Sequence, residues 1–130
     1  TGTGANQASN LYHDDRTLTA SASENLDLAG SLTNGFGVTL TFTAIKAMLV
    51  RAKSTNTNNV QVGGAASNAW ATWVGNSTDI VSVKPGGTLL IIAPDATGFA
   101  VTAGTGDILT IANSAGSTSV IYEIILLGVD

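Results

Sequence analysis

The run Ser119-Val120-Ile121-Tyr122-Glu123-Ile124-Ile125-Leu126-Leu127-Gly128 constrains this chain more than any other stretch. With the two-residue period of a strand, Val120, Tyr122, Ile124 and Leu126 fall on one face. Ile121, Glu123, Ile125 and Leu127 fall on the other. A strand of a sheet wetted on one side is apolar on one face only. This run is apolar on both, with a single carboxylate breaking the second face. Each face therefore needs a cover. We assign the face of Val120, Tyr122, Ile124 and Leu126 to the subunit's own core. The face of Ile121, Ile125 and Leu127, interrupted by Glu123, is assigned to contact with another subunit. Glu123 then requires a cation, from Lys46, Arg51 or Lys84, or a wet interface rim.

The rest of the chain supplies short strand-like runs between turn signals. Thr17–Ser23, Val60–Val62, Asp79–Lys84, Thr88–Ala93, Phe99–Thr102 and Asp107–Ala112 alternate or are continuously apolar. Asn34-Gly35-Phe36-Gly37, Pro85-Gly86-Gly87 and Pro94-Asp95-Ala96-Thr97-Gly98 interrupt them. Val38–Lys53 reads as one extended stretch split by a kink or bulge near Ala44. Ala65–Trp73 reads as a strand with Trp70 and Trp73 on opposite faces. The expected fold is all-β: an antiparallel, jelly-roll-like β-sandwich of about 8 strands. Residues 1–10 form a flexible N-terminal arm and residues 11–130 a single domain. Leu89–Ile92 and Ile108–Ile111 are apolar on both faces too. With the terminal run they suggest one doubly covered C-terminal sheet, closed by oligomerisation or by folding back of loops or of the arm.

Charge is scarce. Only 11% of residues are charged, against about 25% in an average globular protein. Few charges keep neighbouring molecules apart. The five cations, Arg16, Lys46, Arg51, Lys53 and Lys84, are too thin a cluster for nucleic acid. The absence of cysteine excludes thiolate chemistry and Cys-ligated metals. No run spans a membrane, and Thr1–Gln7 has neither the basic start nor the apolar region of a secretory signal.

No constellation specifies catalysis. His13-Asp14-Asp15 reads as a solvated turn, since adjacent side chains on an extended chain point apart and cannot close on one ion. There is no G-x-S-x-G elbow and no phosphate loop. The aspartates mostly flank turns, where they accept backbone bonds. Calcium has no Asp-rich loop of defined spacing. Neither an enzyme, a cofactor nor a metal is expected. Trp70 and Trp73, with Tyr12, could form a sugar-stacking platform; alternatively one tryptophan is core and the other lies at an interface.

The C-terminal half resembles small virion proteins of tailed bacteriophages. The resemblance lies in Val83-Lys84-Pro85-Gly86-Gly87, Pro94–Thr102, Ile108–Ala112 and the closing Tyr122–Gly128. It implies a non-enzymatic, β-rich structural protein of the virion: a capsid decoration (cement) protein, or a tail or fibre component. The partners it implies are the chain itself, with a trimer favoured, and virion proteins such as the major capsid protein. Neither nucleic acid nor a membrane is among them. A carbohydrate-binding β-sandwich is the alternative. The interface candidates are Ile121, Glu123, Ile125, Leu127, Trp70 and Trp73.

Overall fold

The computed structural model describes residues 1–130. It has nine strands and no helix: β1 (Asn10–Leu18), β2 (Ser23–Asp27), β3 (Ala44–Ala52), β4 (Val60–Gly63), β5 (Ile80–Val83), β6 (Thr88–Ile92), β7 (Phe99–Ala100), β8 (Ile108–Asn113) and β9 (Val120–Val129). Sheet A has the order β1-β9-β3-β6, with the short β7 also pairing β3. Sheet B has the order β2-β8-β4-β5. Every pairing between strands is antiparallel.

The pairing follows a simple rule once β7 is set aside. The first strand pairs the last, the second pairs the last but one, β3 pairs β6 and β4 pairs β5. One long antiparallel ribbon rolled so that its pairs alternate between two sheets is a jelly roll. The connections β1–β2, β3–β4, β5–β6 and β8–β9 each cross from one sheet to the other.

Alternation places the core. On β9, Val120, Tyr122, Ile124 and Leu126 are fully buried, as their shared parity requires. Met48, Val50 and Ala52 of β3 join them from the neighbouring strand. Val60, Val62, Leu109 and Ile111 face them from sheet B, and Leu26, Leu28, Leu40 and Phe42 belong to the same core. The apolar run stops at Gly128 for a steric reason. A Cβ there would lie 2.5 Å from the Ala44 carbonyl oxygen and 2.6 Å from the Phe42 ring.

The break near Ala44 has a definite form. The register of β3 against β9 shifts between Ile45 and Ala47, leaving Lys46 as the extra residue of a bulge. Ile45 and Met48 are both fully buried although three positions apart, so Lys46 and Ala47 are turned together toward the outer side. In the segment before it, Val38–Thr43, alternation holds from Thr39 on, with Leu40 and Phe42 buried but Val38 exposed, and the segment is not part of either sheet's ladder.

The structure corrects several expectations. Thr17–Ser23 is not one strand: Leu18 ends β1, Ala22 N–H donates to Thr19 O in a turn, and Ser23 opens β2 in the other sheet. His13-Asp14-Asp15 is the middle of β1, not a turn, because β1 is paired along its whole length with β9. Ala65–Trp73 is irregular, holding only an isolated bridge from Ala69 to Ile108. Ile108–Ile111 belongs to sheet B, so the two-faced apolar strands do not form one sheet. The N-terminal arm is hydrogen-bonded to the domain: Asn6 N–H donates to Pro94 O at 2.8 Å and Ser9 N–H to Gly128 O at 3.0 Å.

The two parities of β9 should respond differently to truncation. We expect Ile124→Ala to cost about 2–5 kcal/mol, the usual cost of a core cavity. Ile125→Ala, half-buried on the outer face, should cost clearly less under conditions where the protein is monomeric. Urea unfolding of both variants checks this.

Candidate assembly interface

Antiparallel pairing aligns the outward side chains of sheet A in rows across β1, β9, β3 and β6. The first row is Leu11, Leu127, Ala47 and Ile92. The second is His13, Ile125, Leu49 and Leu90. The third is Asp15, Glu123, Arg51 and Thr88. Two rows are thus apolar but for His13, and the third is ionic. Exposure is substantial at Leu11 (52%), Leu90 (55%), Ile92 (61%) and Leu127 (38%). Single exposed leucines are ordinary; a contiguous set on one sheet face is the mark of a contact surface.

The ionic row explains Glu123. Arg51, one of the cations anticipated from sequence, pairs with it, Nη2 lying 2.5 Å from Oε2. His13 Nε2 lies 3.1 Å from Oε1 and shares the carboxylate from the other side. Ligand atoms of His13, Asp15 and Glu123 lie within 4.8 Å of one another. Both oxygens of Glu123 already have partners, Arg51 at Oε2 and His13 at Oε1.

The N-terminal arm borders the same face. Asn6, Gln7 and Ala8 line a shallow depression with Lys46, Ala47, Ile92 and Leu127. Fold-back therefore supplies part of the second cover, beyond the first row. Lys46 itself is buried, its Nζ donating to the carbonyls of Asp95 (2.5 Å) and Ala96 (2.6 Å). That loop is preformed: Asp95 Oδ1 accepts from the Thr97 hydroxyl and from the N–H groups of Thr97 and Gly98. These donors, the Thr97 hydroxyl foremost, hold the Asp95 carboxyl down at about 2.

Among the sequence candidates, Ile121, Glu123, Ile125 and Leu127 do share this face. The tryptophans do not. Trp70 is only 2% exposed, and its Nε1–H donates to Ala100 O at 3.0 Å. Trp73 packs against it with ring centroids 5.9 Å apart, and its Nε1–H donates to Trp70 O. A turn at Ala71–Val74 puts positions 70 and 73 on the same side, where a strand would have opposed them. Leu11, Leu49, Leu90 and Ile92 complete the face. The parity of Leu11, His13 and Asp15 was available in the sequence; which strands lie beside β9 was not.

At the open edge of the sandwich, between β1 and β2, a polar clamp joins the sheets. Arg16 Nε donates to both oxygens of Glu24 at 2.9 Å, and Nη1 donates to Asp14 Oδ2 at 2.8 Å. The Tyr122 hydroxyl donates to Glu24 Oε1 at 2.5 Å. Burial pushes the Glu24 carboxyl up, but the Arg16 guanidinium and Tyr122 hydroxyl outweigh it and hold the group below its ordinary value. Burial, helped by Glu24, pushes the Tyr122 hydroxyl well above the usual phenol range.

Fold and face together define a jelly-roll β-sandwich domain with an apolar outer sheet. No family model matches the chain. No curated protein matches it. It is similar to a solved structure described as "Bacillus endospore appendages form a novel family of disulfide-linked pili", at 14% identity over 97% of this chain and 95% of that one, with a TM-score of 0.43.

The clamp predicts two limits of stability in pH. Glu24 ionises more readily folded than unfolded. Its contribution is complete above the unfolded carboxyl value, about 4.3, and is lost as pH falls through the lower folded value. The Tyr122 value is raised in the fold. Its contribution is complete below the unfolded phenol value, about 10, and is lost as pH rises beyond it. We expect Glu24→Gln to flatten the acid limb of a plot of unfolding free energy against pH, and Tyr122→Phe the alkaline limb.

Proposed function

We propose that this chain is a non-enzymatic structural subunit that assembles through the outer face of sheet A, and that its setting is a phage virion. There it would decorate the capsid, touching copies of itself and the major capsid protein. The observation that carries the assembly reading is the pair of rows open to solvent, the first apolar across four strands and the second across three, with His13 at its β1 end. The low charge and the resemblance of the C-terminal half support the virion setting. The sugar-binding alternative draws less support, since Trp70 is buried and Trp73 packs against it at a tilt.

The magnitudes suit an assembly that several contacts share. Leu11, Leu90, Ile92 and Leu127 are each about half exposed. Covering them contributes roughly half of the ~1.5–3 kcal/mol of a full burial. Over two copies that is about 6–12 kcal/mol, against an association cost of about 4–15. Apolar contact alone is therefore marginal, and hydrogen bonds or multiple contacts must add to it.

Sedimentation of the purified protein tests the reading. We expect association at micromolar concentration. Ile125→Lys or Leu127→Lys should abolish it and leave the unfolding transition nearly unchanged, because a lysine on this face stays in water when the copies separate. A wild-type protein that is monomeric at micromolar concentration would refute it.

A further inference from the structure

We infer that the free edge of β6 is a strand-pairing site for the β6 of a second copy, related by a two-fold axis perpendicular to sheet A. This edge contact rests on the assembly reading above and names one of the contacts that would complete it.

The backbone supplies the first observation. Ala52 N–H donates to Gly87 O, and Ala93 N–H donates to Lys46 O. In an antiparallel ladder the bonded positions alternate. Gly87, Leu89, Ile91 and Ala93 therefore face β3, and the N–H and C=O groups of Thr88, Leu90 and Ile92 point to the open edge. No further strand pairs there. The same three residues carry the exposed side chains of β6. The edge is thus open in both its backbone and its side chains.

The second observation is what protects the other edges. The opposite edge of sheet A, β1, carries His13, Asp14, Asp15 and Arg16. The β2 edge of sheet B carries Glu24 and Asp27. Charges of this kind keep edge strands from pairing. The β5 edge is four residues long and runs directly into Lys84-Pro85. Strand β6 has no charge, proline or bulge from Thr88 to Ile92.

Charge chooses the occupant. Pairing β1 with itself would bring Asp14 and Asp15 against their own copies. Pairing β1 with β6 would lay its charges beside Leu90 and Ile92. Pairing β6 with itself meets no charge at all. Centred on Leu90, the two-fold sets Leu90 opposite Leu90, and Thr88 opposite Ile92. Each of the three residues then exchanges both backbone bonds with its opposite number. A two-fold perpendicular to the sheet also keeps the outer faces on one side. The apolar rows of the two copies, which end at Leu90 and Ile92, become one continuous surface.

The chain has no cysteine, so one introduced thiol reports its own surroundings. In Leu90→Cys, opposed Cα atoms would lie about 5.5 Å apart, within disulfide reach. We expect a disulfide-linked dimer on mild oxidation. A second variant pair isolates the hydrogen bonds. Leu90→Ala keeps the amide; Leu90→Pro removes an N–H that β3 does not use, so it should fold. We expect Leu90→Pro to weaken self-association by about two orders of magnitude and Leu90→Ala by about one or less. A wild type that associates, with a Leu90→Cys variant that forms no cross-link, overturns the contact, as does a protein of odd copy number. A cross-link in Asp14→Cys/Leu90→Cys that neither single variant gives would overturn it too, by placing β1 against β6. If Leu90→Pro associates as wild type does while Leu127→Lys does not, the edge contact fails and the assembly reading stands. A monomeric wild type removes both.

Discussion

The register of β9 is the constraint on which the rest of this structure depends. It is the longest strand, it lies between β1 and β3, and its inward residues are all fully buried. A shift of one residue would move Val120, Tyr122, Ile124 and Leu126 to the outer face. It would also separate Tyr122 from Glu24 and Glu123 from Arg51. Core packing, the inter-sheet clamp and the ionic row are therefore satisfied by the same register. Gly128 lies within it, where only a residue without a side chain fits against Ala44 and Phe42.

The outer face is a by-product of that register until the other strands are considered. Leu127 and Ile125 alone would be two apolar residues on a sheet. Leu11, Ala47, Leu49, Leu90 and Ile92 turn them into rows, because antiparallel neighbours bring like parity together. The ionic row then sets a boundary. Asp15, Glu123 and Arg51 form a partly neutralised margin, which would tolerate the wet rim of an interface better than its centre. The N-terminal arm sets the opposite boundary, lying beside Ile92 and Leu127. What is left uncovered runs to β6, the strand whose edge is also open.

Much of the fold was legible in local pattern. Val60–Gly63, Ile80–Val83, Thr88–Ile92, Phe99–Ala100 and Ile108–Asn113 all lie where alternation and turn residues suggest. The failures share a cause. His13-Asp14-Asp15 has the composition of a turn, yet it is part of a strand because β9 pairs every residue of it. The Trp70–Trp73 stretch has the apolar content of a strand, yet it has no ladder partner beyond one bridge and coils so that the rings meet. In both cases a non-local pairing, present or absent, overrode local preference.

By itself, the sequence determined the class of fold and the division of β9 into an inner and an outer face, since a period of two leaves no other way to sort its side chains. It also determined that Glu123 would need a cation or a wet interface rim. Only the tertiary structure decided which cation, because Arg51 reaches Glu123 through a register between strands far apart in the chain. It likewise decided that Ile108–Ile111 belongs to the other sheet and that the two tryptophans pack on each other, away from the outer face of sheet A. Strand order is set by long-range burial and ladder bonds, and no local pattern encodes those.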